Sequence, residues 1–180
     1  MRVVIGIDPG LQNTGYGIVG QNGNRFHHIE HGTIITSSDQ SVGDRLRKLF
    51  HEIKKLIKRH NAGEAGIEDI YFAKNAKSLI PVASAKGVLM LACAECGIPV
   101  TEYSPLVIKR AVTGNGRAEK QQIQEIVRLI LGLSNVPSPD HAADALAVAI
   151  CLLQQQDFEK LVEKSAEKKR RSAAERKPIV

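Results

Sequence analysis

Apolar residues crowd positions 2–8, RVVIGID, and stop at Pro9-Gly10, which predicts a strand. Residues 14–20 and 25–36 read as two more strands, joined through Asn22-Gly23-Asn24, a hairpin signal. The spacing then turns helical. Val42, Leu46, Leu49, Phe50, Ile53, Leu56 and Ile57 share one face, while Arg47, Lys48, Lys54, Lys55 and Lys58 fill the other. Asn61 and Gly63 end that helix, and residues 64–70 return to strand. Residues 78–96 predict a well-buried helix closed by Gly97, and IPVTEY a further strand. Ser104-Pro105 and Ser138-Pro139 each read as a cap followed by Pro at the first helical position. The second opens a helix over 139–154, and the Gly-rich TGNGRAEK leads into one over 119–131.

The predicted order is β-β-β-α-β-α-β-α-α-α. A strand meander followed by alternating strands and helices implies an α/β fold, with a mixed five-stranded sheet flanked by helices on both faces. Residues 1–155 form the expected domain. From Asp157 onward, DFEKLVEKSAEKKRRSAAERKP has almost no apolar periodicity and reads as a solvated helix or loose basic tail over 156–180.

Composition narrows the class. The 180 residues are 43% hydrophobic, enough for one core, and no stretch approaches eighteen consecutive apolar residues. The N-terminus enters a strand with no signal or transit pattern, so a cytoplasmic location and no membrane contact are expected. A net charge of +6 and a pI near 9.3 favour a polyanionic partner. Cys93 and Cys96 form a CxxC near a helix end with no second pair, so these thiols and Cys151 read as buried and structural.

The acids change the picture. Val4, Gly6 and Asp8 share one strand face, as do Gly66, Glu68 and Ile70. Each glycine leaves room beside an acid at a strand end, where α/β sheets carry chemistry. In SPDHAADALAVA, Asp140, His141 and Asp144 project from a similar helix face. Asp140 also reads as a first-turn acid favoured by the helix dipole, and spacing leaves open which of Asp140 and His141 joins Asp144. Carboxylates from separate elements plus one imidazole suit a hard divalent ion such as Mg²⁺, completed by substrate phosphate. A pair of ions about 4 Å apart would activate water against a phosphodiester. Acids at the ends of core strands would then be tolerated because cations neutralise them.

GIDPGLQNTGYGIV, IEDIYFAKNAKS, GNGRAEKQQI and DHAADALAVA together resemble the RuvC family of Holliday-junction resolvases, in order and over about residues 1–155. The resemblance implies a ribonuclease-H-like homodimer that cuts four-way DNA junctions symmetrically with two Mg²⁺ ions per site, Mn²⁺ substituting. It leaves 5′-phosphate and 3′-hydroxyl ends, as recombination and repair require. The branch-migration proteins RuvA and RuvB are the expected partners. The family's acids match Asp8, Glu68 and Asp144. The slot three residues before the last matches His141, where many members carry Asp. Asp8 would bridge the ions, with Glu68 on one side and His141 and Asp144 on the other. Lys109 and Lys120 fall where the family has basic residues near the scissile phosphate. Tyr71 matches an aromatic that stacks on a junction base, and Phe72 beside it shares the alternation of Glu68. Lys74, Asn75, Lys77 and Ser78 suit phosphate contacts, and Arg117 joins the DNA-binding set. The helix 78–96 is the candidate dimer interface.

Three rivals compete. Actin-like ATPases and sugar kinases also open with G-I-D followed by Gly and Thr, here Gly10, Thr14 and Gly15, but they need two such domains. A binding protein without catalysis would not need the acid set. A ribonuclease acting on RNA or hybrids would need it, and only the resemblance in YFAKNAKS and GNGRAEK decides for junctions.

Overall fold

A computed structural model describes residues 1–70 and 76–175. Strands β1 (Arg2–Asp8), β2 (Asn13–Asn22) and β3 (Arg25–Ile35) form the meander. Then follow α1 (Val42–His60), β4 (Glu64–Glu68), α2 (Ala76–Glu95), β5 (Val100–Tyr103), α3 (Pro105–Thr113), α4 (Lys120–Leu131) and α5 (Asp140–Glu175), the expected order. The sheet order is β3-β2-β1-β4-β5. The β1–β2 and β2–β3 pairs are antiparallel, and the β1–β4 and β4–β5 pairs are parallel. The sheet is therefore mixed, as expected.

Alternation sorts β1 between two cores. Ile5 and Ile7 pack on one face with Ile18 and Ile67, against Leu49 and Ile53 of α1 and Ala85 and Leu89 of α2. Val4 faces the other way, in a cluster with Ile108 of α3, Val127 of α4 and Leu146 to Leu153 of α5. Helices therefore cover both faces of the sheet.

On that second face the sheet is lined with glycine, and α5 lies directly on it. A Cβ at Gly6 would stand 2.0 Å from the Ala145 carbonyl oxygen and 2.5 Å from the Ala149 nitrogen. At Gly15 it would stand 1.9 Å from the His141 carbonyl oxygen, and at Gly66 2.9 Å from Val148 Cγ1. The room that glycine leaves beside each acid is taken by this helix. Its inner positions are small to match, with Ala142, Ala145 and Ala149 fully buried.

Local chemistry ends the elements as read at Asn61 and Ser104, and Ser41 adds a cap that was not read. Ser41 caps α1 through the Asp44 N–H, and Asn61 closes it in the left-handed region at φ 50°. Ser104 caps α3 with Pro105 in its first turn.

Several expectations need correcting. β4 stops at Glu68, so Ile70 is not on its face. α5 begins at Asp140, and the carbonyl of Pro139 accepts the Ala142 and Ala143 N–H groups, which makes Pro139 rather than Ser138 the capping position. That helix continues past 154 to Glu175, so of the two readings of the tail the helical one holds there, because Glu, Lys, Ala and Arg favour helix and no Gly or Pro intervenes before Pro178. Within one chain α2, read as well buried and as the candidate interface, buries one face and leaves Ile80 at 68% and Leu91 at 53% exposure on the other. Cys93 and Cys151 are buried, with thiols pushed up to about 12 by burial. Cys96 lies in the turn after α2 and is half-buried.

Candidate active site

The site forms where β1 and β4 end side by side. Their parallel register runs to Ile7 against Ile67, which brings Asp8 and Glu68 next to each other on the α5 face. α5 crosses that face, and its first turns carry His141 and Asp144. His141 Nδ1 lies 2.7 Å from Asp8 Oδ2. Asp140 takes another direction. It accepts from Gln124 Nε2 at 3.0 Å and pairs with Lys120 at 3.2 Å. Of the two candidates for company with Asp144, His141 is the one that meets Asp8.

The loop between β1 and β2 is fastened beside the acids. The buried Thr14 hydroxyl donates to the Gly10 carbonyl at 2.6 Å, and Thr36 donates to the Leu11 carbonyl. Thr14 thus serves the backbone and Gly15 admits α5, so both have tasks unrelated to nucleotide phosphates.

Lys120, on the first turn of α4, pairs with Asp144 at 3.1 Å as well as with Asp140. Burial opposes its charge most strongly of any single influence, but the hydrogen bonds and charges of Asp144 and Asp140 together outweigh it and raise its pKa. Lys109, on α3, donates to the Ala118 carbonyl at 3.1 Å. Glu68, Lys109, Lys120 and Asp144 line a cleft of about 210 Å³, walled by Pro105, Ile108 and Ile123. Sequence reading missed Gln124, whose signal is its place four residues after Lys120, on the same face of α4.

Electrostatics mark this cleft. Burial raises the Asp8 pKa, with the hydrogen bond to His141 opposing. Glu68 is pushed up to about 7, first by burial and then by the charges of Asp8 and Asp144. Such crowding of carboxylates is the mark of a place built for positive charge. The donor chemistry, three carboxylates and an imidazole, fits a hard divalent ion. With Asp8 turned to His141 and Asp144 to Lys120, no three such donors among the described residues converge as they stand.

Tyr71, Phe72, Lys74 and Asn75 lie outside the described residues, as does the side chain of Lys77. Arg117 is exposed in the loop between α3 and α4, its N–H donating to Asn115 Oδ1 at 3.0 Å.

The chain is similar to known proteins of one family. The family model described as "Crossover junction endodeoxyribonuclease RuvC" matches residues 4–152. A relative of that name from Treponema denticola is 56% identical over 147 residues, 82% of this chain and 83% of the relative. Another from Clostridioides difficile is 44% identical over 158 residues, covering 88% and 94%. Among solved structures, T. thermophilus RuvC in complex with Holliday junction substrate superposes with a TM-score of 0.81 at 32% identity, covering 84% of this chain and 92% of that one.

Proposed function

The chain belongs to the RuvC family of crossover junction endodeoxyribonucleases, and on that premise we propose that its acid cluster hydrolyses phosphodiesters at four-way DNA junctions. The observation that carries this reading is the meeting of Asp8 and Glu68, from neighbouring strands, with His141 and Asp144 beside Lys120. These four side chains would hold Mg²⁺, two ions per site, with Mn²⁺ as a substitute. Bound there, the ions supply an activated water and offset charge on the departing oxygen.

The chain's own residues do the rest. Lys120 and Lys109 line the cleft and bring positive charge to where the phosphoryl group becomes more negative. Water oxygen joins phosphorus and releases a proton to solvent as the bond from phosphorus to the 3′ oxygen breaks. The 3′ oxygen takes up a proton, leaving 5′-phosphate and 3′-hydroxyl ends. Arg117, with Tyr71, Phe72, Lys74, Asn75 and Lys77, is assigned to the DNA, and binding through such cations weakens steeply with salt.

Residues 1–155 are assigned the nuclease and 156–180 an extension to it. Symmetric paired cuts need a second copy of the site. Ile80, Ala83, Gly87, Leu91 and Ala94 form an exposed stripe at helical spacing along α2, and we assign it to the homodimer. Leu91→Glu, which buries a charge in that seam, is expected to sediment as a monomer where the wild type is a dimer. RuvA and RuvB are its proposed partners, to be tested by co-purification on junction DNA.

The pH dependence of ion binding follows from Glu68. A carboxyl held near 7 keeps its proton in acid, so an ion has to displace that proton at low pH. Mn²⁺ affinity is expected to fall about tenfold from about pH 8 to pH 6, the factor for release of one proton. A titration of free Mn²⁺ by electron paramagnetic resonance checks this, and a flat profile would remove Glu68 from the ligand set.

The function itself is tested by offering labelled four-way junction, linear duplex and RNA–DNA hybrid with Mg²⁺. Paired, ligatable cuts in the junction alone are expected. Cutting of the hybrid instead would move the enzyme to ribonuclease chemistry.

A further inference from the structure

We propose that Lys86 is a positioning residue for Glu68, holding the end of β4 from the face of the sheet opposite the acids. The proposal rests on the reading of Asp8, Glu68, His141 and Asp144 as an ion-binding set.

At Glu68 the β4 backbone is paired with β5 and no longer with β1. The pairing of β1 with β4 stops at Ile67, so Glu68 has no register partner on β1. On the other side Glu68 pairs with Tyr103, and the Asp69 N–H donates to the Tyr103 carbonyl at 2.8 Å. What fixes β5 and Asp69 therefore fixes the backbone that aims Glu68. Side chains alternate here. Ile67 packs toward α1 and α2, and Glu102, its register partner on β5, shares that face.

Lys86 comes down from α2 on that face, between the ends of both strands. Its ammonium pairs with Asp69 and with Glu102. Asp69 directly follows Glu68, and Glu102 directly precedes Tyr103. The lysine thus ties together the two residues that flank the Glu68–Tyr103 pair. Asp69 is held further, because its carboxylate also accepts the Ile70 N–H at 2.8 Å. This is also the last described backbone before residues 71–75, the segment assigned to DNA.

The energetics separate aim from stability. The Lys86 side chain is 12% exposed, while Asp69 and Glu102 are 50% and 44% exposed. Burial opposes the lysine's charge, but the hydrogen bonds to both carboxylates outweigh it. Removing the ammonium leaves two carboxylates that water can still reach, so the fold should survive. What is lost is the tie between β4, β5 and α2. Groups that orient ligands from outside the coordination sphere typically govern metal affinity and activity by about 10–100-fold.

The test uses the full chain as wild type, Lys86→Met and Lys86→Arg. Mn²⁺ binding is read by electron paramagnetic resonance, junction affinity by gel shift, and the single-turnover cleavage rate on a labelled junction. Lys86→Met is expected to weaken Mn²⁺ binding and slow cleavage by about tenfold each, with junction Kd changed less than about twofold. Lys86→Arg, which keeps the charge and can bridge two carboxylates, is expected to restore most of both. Mn²⁺ binding by Lys86→Met equal to that of wild type would overturn the proposal. Should that variant fail to fold, Glu102→Gln, which severs one arm, is expected to weaken Mn²⁺ binding in the same direction. No change there would likewise overturn it. Equal Mn²⁺ binding by wild type and Asp8→Asn is a different result, since it would sink the ion-binding reading underneath.

Discussion

Asp8→Asn is expected to lower the cleavage rate at least about a thousandfold, because it removes a charged ligand and with it ion-assisted chemistry. Junction affinity should change little, since Asp8 faces His141 in a pocket with 15% of its side chain exposed. Asparagine keeps the shape and one oxygen that can accept from His141, so the local packing survives. What disappears is the charge that helps push Glu68 to about 7 and that burial itself opposes. Without added metal the variant should therefore melt at the wild-type temperature or above it. A catalytic acid and a structural acid part company here, because a structural acid would cost stability on removal. Single-turnover cleavage, gel shift and calorimetry read the three quantities. Retained cleavage would remove Asp8 from the reaction.

Gly6→Ala is expected to destabilise the fold by about 3 kcal/mol or more, the upper range for forced overpacking. The new Cβ would lie 2.0 Å from the Ala145 carbonyl oxygen and 2.5 Å from the Ala149 nitrogen, backbone atoms that cannot turn aside. Either β1 or α5 must move, and moving α5 takes His141 and Asp144 away from Asp8. Cleavage should fall along with the melting temperature. Gly43→Ala is the matched control. There the added Cβ meets only Ser41 Oγ at 3.9 Å, so the change should be neutral or stabilising by up to about 1 kcal/mol. A Gly6→Ala protein that melts like the control would mean that α5 sits farther from the sheet than described.

Much of this was readable along the chain because its causes are local. Ser104 opens a helix and Asn61 closes one through bonds to neighbours a few residues away, and such signals survive in the one-dimensional pattern. Alternation along RVVIGID placed Asp8 on the face of Gly6 before any fold was known. The weaker readings failed where the deciding contact was distant. IEDI continues to look like strand, yet β4 ends at Glu68, and the Asp69 N–H turns to the Tyr103 carbonyl instead. The apolar run of α2 reads as well buried and as a candidate interface, but only the fold tells which of its faces meets the sheet and which is left outward.

The residue types of the site, and their places at strand ends and on one helix face, were decided by the sequence alone. Which of Asp140 and His141 meets Asp8 was decided by the tertiary structure. Periodicity sets the angles among residues of one helix but not the direction in which the helix as a whole is turned. That direction comes from the contacts of Gly6 and Gly15 with Ala145 and His141, and from Lys120 and Gln124 drawing Asp140 toward α4. The trio of Asp69, Lys86 and Glu102 was hidden for the same reason. Its members lie 16 and 17 positions apart, and only the packing of α2 beneath β4 and β5 makes them neighbours.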